Sequence, residues 1–178
     1  MSGHSKWAQI KRQKASEDQK RSKLFSVLGR QLALEARKAN GDRSLPGLRR
    51  AIEKAKENNM PGDTIERSIK AALGQGGTNY EEVTYEAYGP GGAALILEGI
   101  TDNKNRTSQE IKHLLSKHNS SLATPGAVTW AFQKIDGGWQ ATTPLELSEV
   151  DTQALANLLD ELETNEDIKT ITTNVPGF

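Results

Sequence analysis

The pattern of apolar positions is helical in the first part of the chain. Between residues 18 and 40 apolar side chains return every three or four positions, which predicts a helix with one buried face. A second helix is predicted over residues 46–58, with a proline in its first turn. A third is predicted over residues 63–73, opened by an acidic N-cap at Asp63. Three amphipathic helices with short connections predict a three-helix bundle.

The pattern then changes from helical to alternating. Residues 74–79 contain three glycines in a polar stretch, which predicts a linker. Residues 80–87 alternate as a strand, and the glycine-rich stretch 89–92 predicts a turn. The apolar run 93–100 that follows predicts a buried central strand.

The elements after residue 100 complete a mixed domain. A capping box at Thr107 predicts a helix reaching about His118, and residues 127–134 alternate as a strand. The turn Asp136-Gly137-Gly138 predicts a hairpin, followed by a helix over residues 151–163 and a strand over residues 168–174.

This order predicts an α+β fold. Read from residue 93, the elements run β-α-β-β-α-β, which is the ferredoxin-like arrangement, preceded here by one extra leading strand. The predicted organisation is a basic arm and three-helix bundle in residues 1–75, the linker 74–79, and a ferredoxin-like domain in residues 80–178.

Charge divides the chain at the same place. The whole chain is neutral, with 23 basic and 23 acidic side chains. Residues 1–75 hold 17 basic and 8 acidic side chains, a net charge of +9, whereas residues 76–178 hold 6 and 15, a net charge of −9. The basic half favours a polyanionic partner, and the acidic half would repel one. The alternative is that the two halves attract each other.

The basic half begins with an arm, residues 2–23, whose irregularly spaced cations cannot form a buried helix face. Nucleic-acid phosphate is the partner this pattern favours, and Trp7 suits stacking on an unpaired base; the alternative is a solvated terminus. In the first predicted helix, cations seven residues apart form a stripe opposite the apolar face. The predicted nucleic-acid-binding residues of the arm and stripe are His4, Lys6, Trp7, Lys11, Arg12, Lys14, Lys20, Arg21, Lys23, Arg30 and Arg37.

The polar stretch after the central strand is a second candidate. Asn103, Lys104, Asn105 and Arg106 lie where ligands of α/β sheets often bind, and we consider them as another nucleic-acid contact. The alternative is that such residues only cap a helix or form a turn.

Catalytic signatures are missing from the sequence. There is no cysteine, which excludes thiolate nucleophiles and zinc–thiolate sites, and the glycine-rich stretch 89–92 lacks the lysine of a phosphate loop. Two histidines five residues apart, His113 and His118, are a poor metal pair. We therefore expect a protein that is not an enzyme, with no cofactor, metal, small-molecule substrate or membrane partner.

Several motifs, taken together and in order, closely resemble the YebC/PmpR family, which includes the mitochondrial translational activator of cytochrome c oxidase. The resemblance runs from Gly3 to about Phe132 and continues more weakly to Asn174. The motifs are Gly3-His4-Ser5-Lys6-Trp7 with Ile10-Lys11, Asn59-Met60-Pro61 with Asp63-Thr64-Ile65-Glu66-Arg67, Tyr88-Gly89-Pro90-Gly91-Gly92, Thr101-Asp102-Asn103 with Asn105-Arg106-Thr107, and Ser116-Lys117-His118.

The resemblance implies a non-enzymatic, cytoplasmic regulator of gene expression. Family members have been described as promoter-binding transcriptional regulators and as ribosome-associated factors that assist translation through difficult stretches such as proline runs. We expect the ribosomal role, with ribosomal RNA as the partner, and keep DNA binding as the alternative. Family members usually carry an inserted third domain before the segment that resembles residues 144–147. Here a short turn stands in its place, so this chain is expected to be a short form.

Overall fold

The computed structural model describes residues 3–178, with side chains described from Glu17 onwards. The chain divides into two compact units, Met1–Thr78 and Asn79–Phe178. The first unit is helical and the second is built on a β-sheet. The predicted α+β class is therefore confirmed.

The first unit is a bundle of three helices, α1 (Gly3–Lys38), α2 (Pro46–Glu57) and α3 (Gly62–Leu73). Both shorter helices pack on α1 through their apolar faces, although Leu73 at the end of α3 is 46% exposed. The buried side chains of this core include Leu28, Leu32, Ala36, Leu48, Ala51, Ala55, Ile65, Ile69 and Ala72. Leu24, an apolar position within the predicted first helix, is 39% exposed, because two 12-residue helices cannot cover a 36-residue one.

Two helix starts differ from the prediction. Helix α1 begins at Gly3 rather than near residue 18, so most of the basic arm is helical. The arm lacks apolar periodicity, but it is rich in lysine, arginine, glutamine and alanine, which favour a helix without any packing. Helix α3 begins at Gly62 after Pro61, and no side chain caps it. Asp63 lies inside the first turn, where its charge favours the positive end of the helix.

The second unit contains six strands and two helices. Its elements in chain order are β1 (Glu81–Tyr88), β2 (Ala94–Thr101), α4 (Lys104–Lys117), β3 (Ser121–Leu122), β4 (Phe132–Ile135), β5 (Gly138–Ala141), α5 (Glu149–Glu163) and β6 (Ile168–Thr173). Four strands form an antiparallel sheet in the order β3-β1-β2-β6, and β4 pairs with β5 in a separate hairpin.

Strand β2 is the centre of this unit. Leu95 and Leu97 point into one apolar cluster, which α4 and α5 cover. Ala94 and Ile96 point into a second cluster on the other face, completed by Val128 and residues near the hairpin. Burial on both faces explains why the β2 sequence is continuously apolar, as the prediction of a central strand required.

The strand pairing departs from a ferredoxin-like sheet. The leading strand β1 and the very short β3 occupy one side of β2, while the hairpin of β4 and β5 forms its own two-stranded sheet. The hairpin turn at Asp136-Gly137 is where it was predicted, because a two-residue turn is encoded locally. Which sheet the hairpin joins depends on contacts far along the chain, and there the prediction was wrong.

Two further boundaries are corrected. Helix α4 begins at Lys104, and its N-cap is Asn103, whose Oδ1 accepts a hydrogen bond from the Arg106 N–H at 3.1 Å. The predicted capping residue Thr107 is buried inside the helix. The strand predicted over residues 127–134 starts only at Phe132, because residues 129–131 form a 3₁₀ turn that leaves Trp130 56% exposed.

The glycine-rich turn between β1 and β2 needs its glycines for geometry. Residues 90–92 form a short 3₁₀ turn in which Gly91 has a φ of 65°. A Cβ at Gly91 would lie 2.6 Å from Leu147 Cδ2. The glycines therefore allow a tight turn that packs closely against Leu147. This agrees with the prediction of a turn between two strands and not of a phosphate loop.

We predict that Leu158→Ala in α5 destabilises the second unit by about 2–5 kcal/mol, because Leu158 is fully buried and truncation leaves a cavity. Urea unfolding followed by tryptophan fluorescence measures this. Val150→Ala on the same helix is the control, since Val150 is 79% exposed; an equal loss in both variants would contradict the assigned core.

Candidate nucleic-acid interface

Only some of the binding residues predicted in the arm have side chains that the structure describes. Six of them lie outside the described side chains: His4, Lys6, Trp7, Lys11, Arg12 and Lys14. Lys20 and Arg21, further along α1, are exposed. The Arg21 guanidinium lies 5.4 Å from the centroid of the Phe25 ring, a cation–π contact that orients the charge on the helix surface. These two side chains remain candidates for a phosphate contact.

The predicted cationic stripe of α1 is not a continuous exposed surface. Lys23, Arg30 and Arg37 are all half-buried and all have interactions within the protein. The Arg37 Nε donates to the Ala72 carbonyl at 2.8 Å, and its Nη2 donates to the Gly77 carbonyl at 2.5 Å. Arg37 therefore ties the end of α3 and the following segment to α1. These hydrogen bonds give Arg37 a structural role and occupy part of its donor fork.

Helix α2 also carries exposed cations that were not among the predicted binding residues. Arg49, Arg50, Lys54 and Lys56 all lie on the solvent side of α2. Glu53 and three apolar residues lie between them along the chain, so they do not form a continuous basic run. A helical projection of residues 46–57 could have found them, because positions three and four apart share one side of a helix.

The second predicted contact is built around a buried carboxylate. Asp167, only 4% exposed, precedes β6. Its Oδ2 accepts hydrogen bonds from Thr101 Oγ1 at 3.1 Å and Thr107 Oγ1 at 2.5 Å. Arg106 Nη2 donates to the same oxygen at 2.8 Å. This cluster joins the end of β2, the first turn of α4 and the start of β6.

Arg106 pairs with more than one carboxylate around this cluster. It also forms ion pairs with Asp102 at 2.8 Å and with Glu110 at 3.7 Å. Its hydrogen bond to Asp167 raises the pKa of the Arg106 guanidinium above its already high ordinary value, so the side chain stays charged. Arg106 thus balances a buried charge, and a nucleic-acid contact by its guanidinium would have to compete with these carboxylates.

The other three residues of this candidate have separate positions. Asn103 caps α4, and Asn105 is exposed in its first turn. Lys104 Nζ lies 2.7 Å from Glu81 Oε2, and the Lys104 carbonyl accepts a hydrogen bond from the Tyr85 hydroxyl at 3.3 Å. Burial, with the negative charges of Asp167 and Glu81, raises the pKa of Tyr85. Asn103 and Lys104 therefore stabilise the fold through the helix cap, the ion pair with Glu81 and the hydrogen bond from Tyr85.

Among the residues with described side chains, no group of three histidine or acidic residues is arranged to hold a metal ion. In the described part of the chain no helix combines the length and the apolar character that a bilayer crossing requires.

A basic helical bundle followed by an acidic α+β unit defines the class of this protein. The family model for the TACO1/YebC protein N-terminal domain matches residues 5–75, and the model for the TACO1/YebC second and third domain matches residues 80–137. The chain belongs to the TACO1/YebC family, which confirms the resemblance seen in its motifs.

Proteins with a similar sequence occur in several bacteria. A protein of Halothermothrix orenii is 47% identical over the whole of this chain and 72% of its own length. A protein of Fervidobacterium nodosum is 54% identical over 75% of this chain, but over only 54% of its own length. Both are named probable transcriptional regulatory proteins. The crystal structure of a conserved hypothetical protein from Aquifex aeolicus matches with a TM-score of 0.79 and 28% identity, over 87% of this chain and 90% of its own.

We predict that Arg106→Ala destabilises the second unit by about 2–3 kcal/mol, because it leaves the buried Asp167 carboxylate without its cationic partner. Lys104→Ala is the matched control in the same helical turn, and its exposed pair with Glu81 should contribute less than about 1 kcal/mol. Urea unfolding of both variants makes the comparison. Equal stabilities for Arg106→Ala and the wild type would contradict this structural role.

Proposed function

We propose that this protein is a non-enzymatic, nucleic-acid-binding regulator of gene expression that acts on the ribosome through ribosomal RNA. The observation that carries the proposal is the separation of charge between the two units. The boundary at Thr78 separates 17 basic and 8 acidic side chains from 6 basic and 15 acidic ones. A net charge of +9 on a small helical unit attracts phosphate over a distance and at many orientations.

RNA fits the basic unit better than a specific DNA sequence. Helix α3 would be the recognition helix of a helix-turn-helix, but its exposed readers are only Arg67 and Lys70, and it contains no asparagine or glutamine. The arm instead combines irregular cations with Trp7, and aromatic side chains stack on unpaired bases of folded RNA. This composition supports binding to backbone and single-stranded bases more than reading of a duplex.

DNA binding is the second candidate function. The relatives from Halothermothrix orenii and Fervidobacterium nodosum are named as probable transcriptional regulatory proteins, which favours it. The short connection between α2 and α3 also permits a helix-turn-helix-like arrangement. A binding comparison between RNA and promoter DNA separates the two functions.

We predict that Lys6→Ala combined with Lys11→Ala weakens RNA binding and lowers its salt dependence. For single-stranded contacts, the slope of log K against log salt should fall by about 0.7 for each lost phosphate contact. Filter binding over a range of salt concentrations measures this. The control is Lys112→Ala with Lys134→Ala, which removes the same charge from the acidic unit. An unchanged slope in the arm variant would exclude these lysines as phosphate contacts.

We also expect salt-sensitive comigration with ribosomes when a cell extract is separated on a sucrose gradient. A variant lacking residues 2–23 should leave the ribosomal fractions, because it loses seven cations. If the full chain is absent from those fractions and binds promoter fragments in the presence of competitor DNA, the ribosomal role is wrong and the DNA-binding alternative is supported.

A further inference from the structure

A group of cations surrounds one carboxylate on the surface of the helical bundle. Glu66 lies on α3, and its Oε2 is 2.6 Å from Nη2 of Arg43, which lies between α1 and α2. Both side chains remain open to solvent, with exposed fractions of 42% and 54%. The ion pair is therefore a surface feature and does not belong to the bundle core.

Two lysines from different helices complete this group. Lys56 lies near the end of α2 and Lys70 one turn after Glu66 on α3, and both are exposed. The hydrogen bond from Arg43 lowers the pKa of Glu66, and the charges of Arg43, Lys70 and Lys56 lower it further. Lys70 lies four residues after Glu66, so both share one side of α3, and α2, which ends just after Lys56, packs against α3. We call Arg43, Lys56, Lys70 and Glu66 the Glu66 cluster.

The Glu66 cluster contains more cations than the single carboxylate needs for an ion pair. Within the cluster as defined, one carboxylate faces three cations, so its four side chains carry a net charge of +2. An isolated surface ion pair would need only one of these cations. Arg43 uses one terminal nitrogen toward Glu66, and a guanidinium has five N–H donors in a planar fork. Donors of Arg43 and both ammonium groups therefore remain available to an anion.

We propose that the Glu66 cluster binds a backbone phosphate of the nucleic acid, with Arg43, Lys56 and Lys70 as its ligands and Glu66 holding the Arg43 fork in place. Arginine suits this role because its fork matches the oxygens of a phosphate. The three cations come from three segments of one bundle, so the fold sets the spacing of their backbone positions. This inference rests on the proposed nucleic-acid-binding function and adds a contact away from the arm.

The test compares two double variants that remove equal charge from the same unit. Lys56→Gln with Lys70→Gln removes two cations of the Glu66 cluster, whereas Arg50→Gln with Lys54→Gln removes two exposed cations elsewhere on α2. For a single-stranded RNA, the cluster variant should lower the slope of log K against log salt by about 1.4, or 0.7 for each contact. The control variant should lower it by clearly less.

The outcomes separate this inference from the proposed function. If the wild-type chain binds neither RNA nor duplex DNA, both fail. If it binds but the cluster variant keeps the wild-type slope, or both double variants lose equally, only the Glu66 cluster is overturned. Running the series on an RNA strand and on duplex DNA shows which nucleic acid supplies the phosphate.

A measurement on the unmodified chain gives an independent check. When a short RNA is titrated into isotopically labelled protein, the amide signals of Arg43, Lys56 and Lys70 should shift together. Comparable circular dichroism of both double variants shows that the bundle has folded, as expected for exposed side chains. Shifts confined to residues outside the Glu66 cluster would overturn the inference even if the variants bind weakly.

Discussion

The α+β unit depends on the buried carboxylate of Asp167, which connects three of its elements. A buried charge is costly unless it is paired and hydrogen-bonded, and here three side chains donate to one of its oxygens. Those donors come from the end of β2 and the first turn of α4. The backbone carbonyl of Asp167 also accepts the Ile100 N–H at 2.9 Å. One carboxylate thus fixes where three elements begin or end.

This constraint gives residues 101–107 a structural role that their composition alone does not reveal. A polar stretch at a strand end resembles a ligand-binding loop, and the sequence contains the residue types that such loops use. In the structure, Thr101, Arg106 and Thr107 are hydrogen-bonded to Asp167, some 60 residues later in the chain. A buried partner so distant leaves no local signal. The alternative noted from sequence, that these residues cap a helix, describes Asn103 correctly.

Elements with strong local signals were predictable from the sequence. Helix α2, helix α5, the glycine-rich turn and the hairpin turn lie where apolar period and turn residues put them. Helix starts were less predictable where two capping candidates lie within four residues, as with Asn103 and Thr107. Strand pairing was the least predictable feature, because the strands that join the sheet of β2 are decided by packing on both of its faces and not by local sequence.

The candidate interface shows the same limit. Sequence reasoning selects cations that are neighbours along the chain, and so it found the arm and the stripe. It could not show that Arg37 donates to the carbonyls of Ala72 and Gly77, because a helical projection contains no information about partners on other elements. Sequence reasoning also could not predict that Arg43, Lys56 and Lys70 lie near Glu66, because they belong to three different segments.

The separation of charge has a consequence that a uniformly basic protein would not have. Attraction between phosphate and a unit of net charge +9 acts before contact, and repulsion by a unit of net charge −9 acts at the same range. Both forces decay over about 8 Å at physiological salt, so they select the orientation of the chain only near the nucleic-acid surface. An encounter that presents the acidic unit is disfavoured, and one that presents the bundle is retained. Under the proposed function, the acidic unit therefore contributes to orientation even without touching nucleic acid.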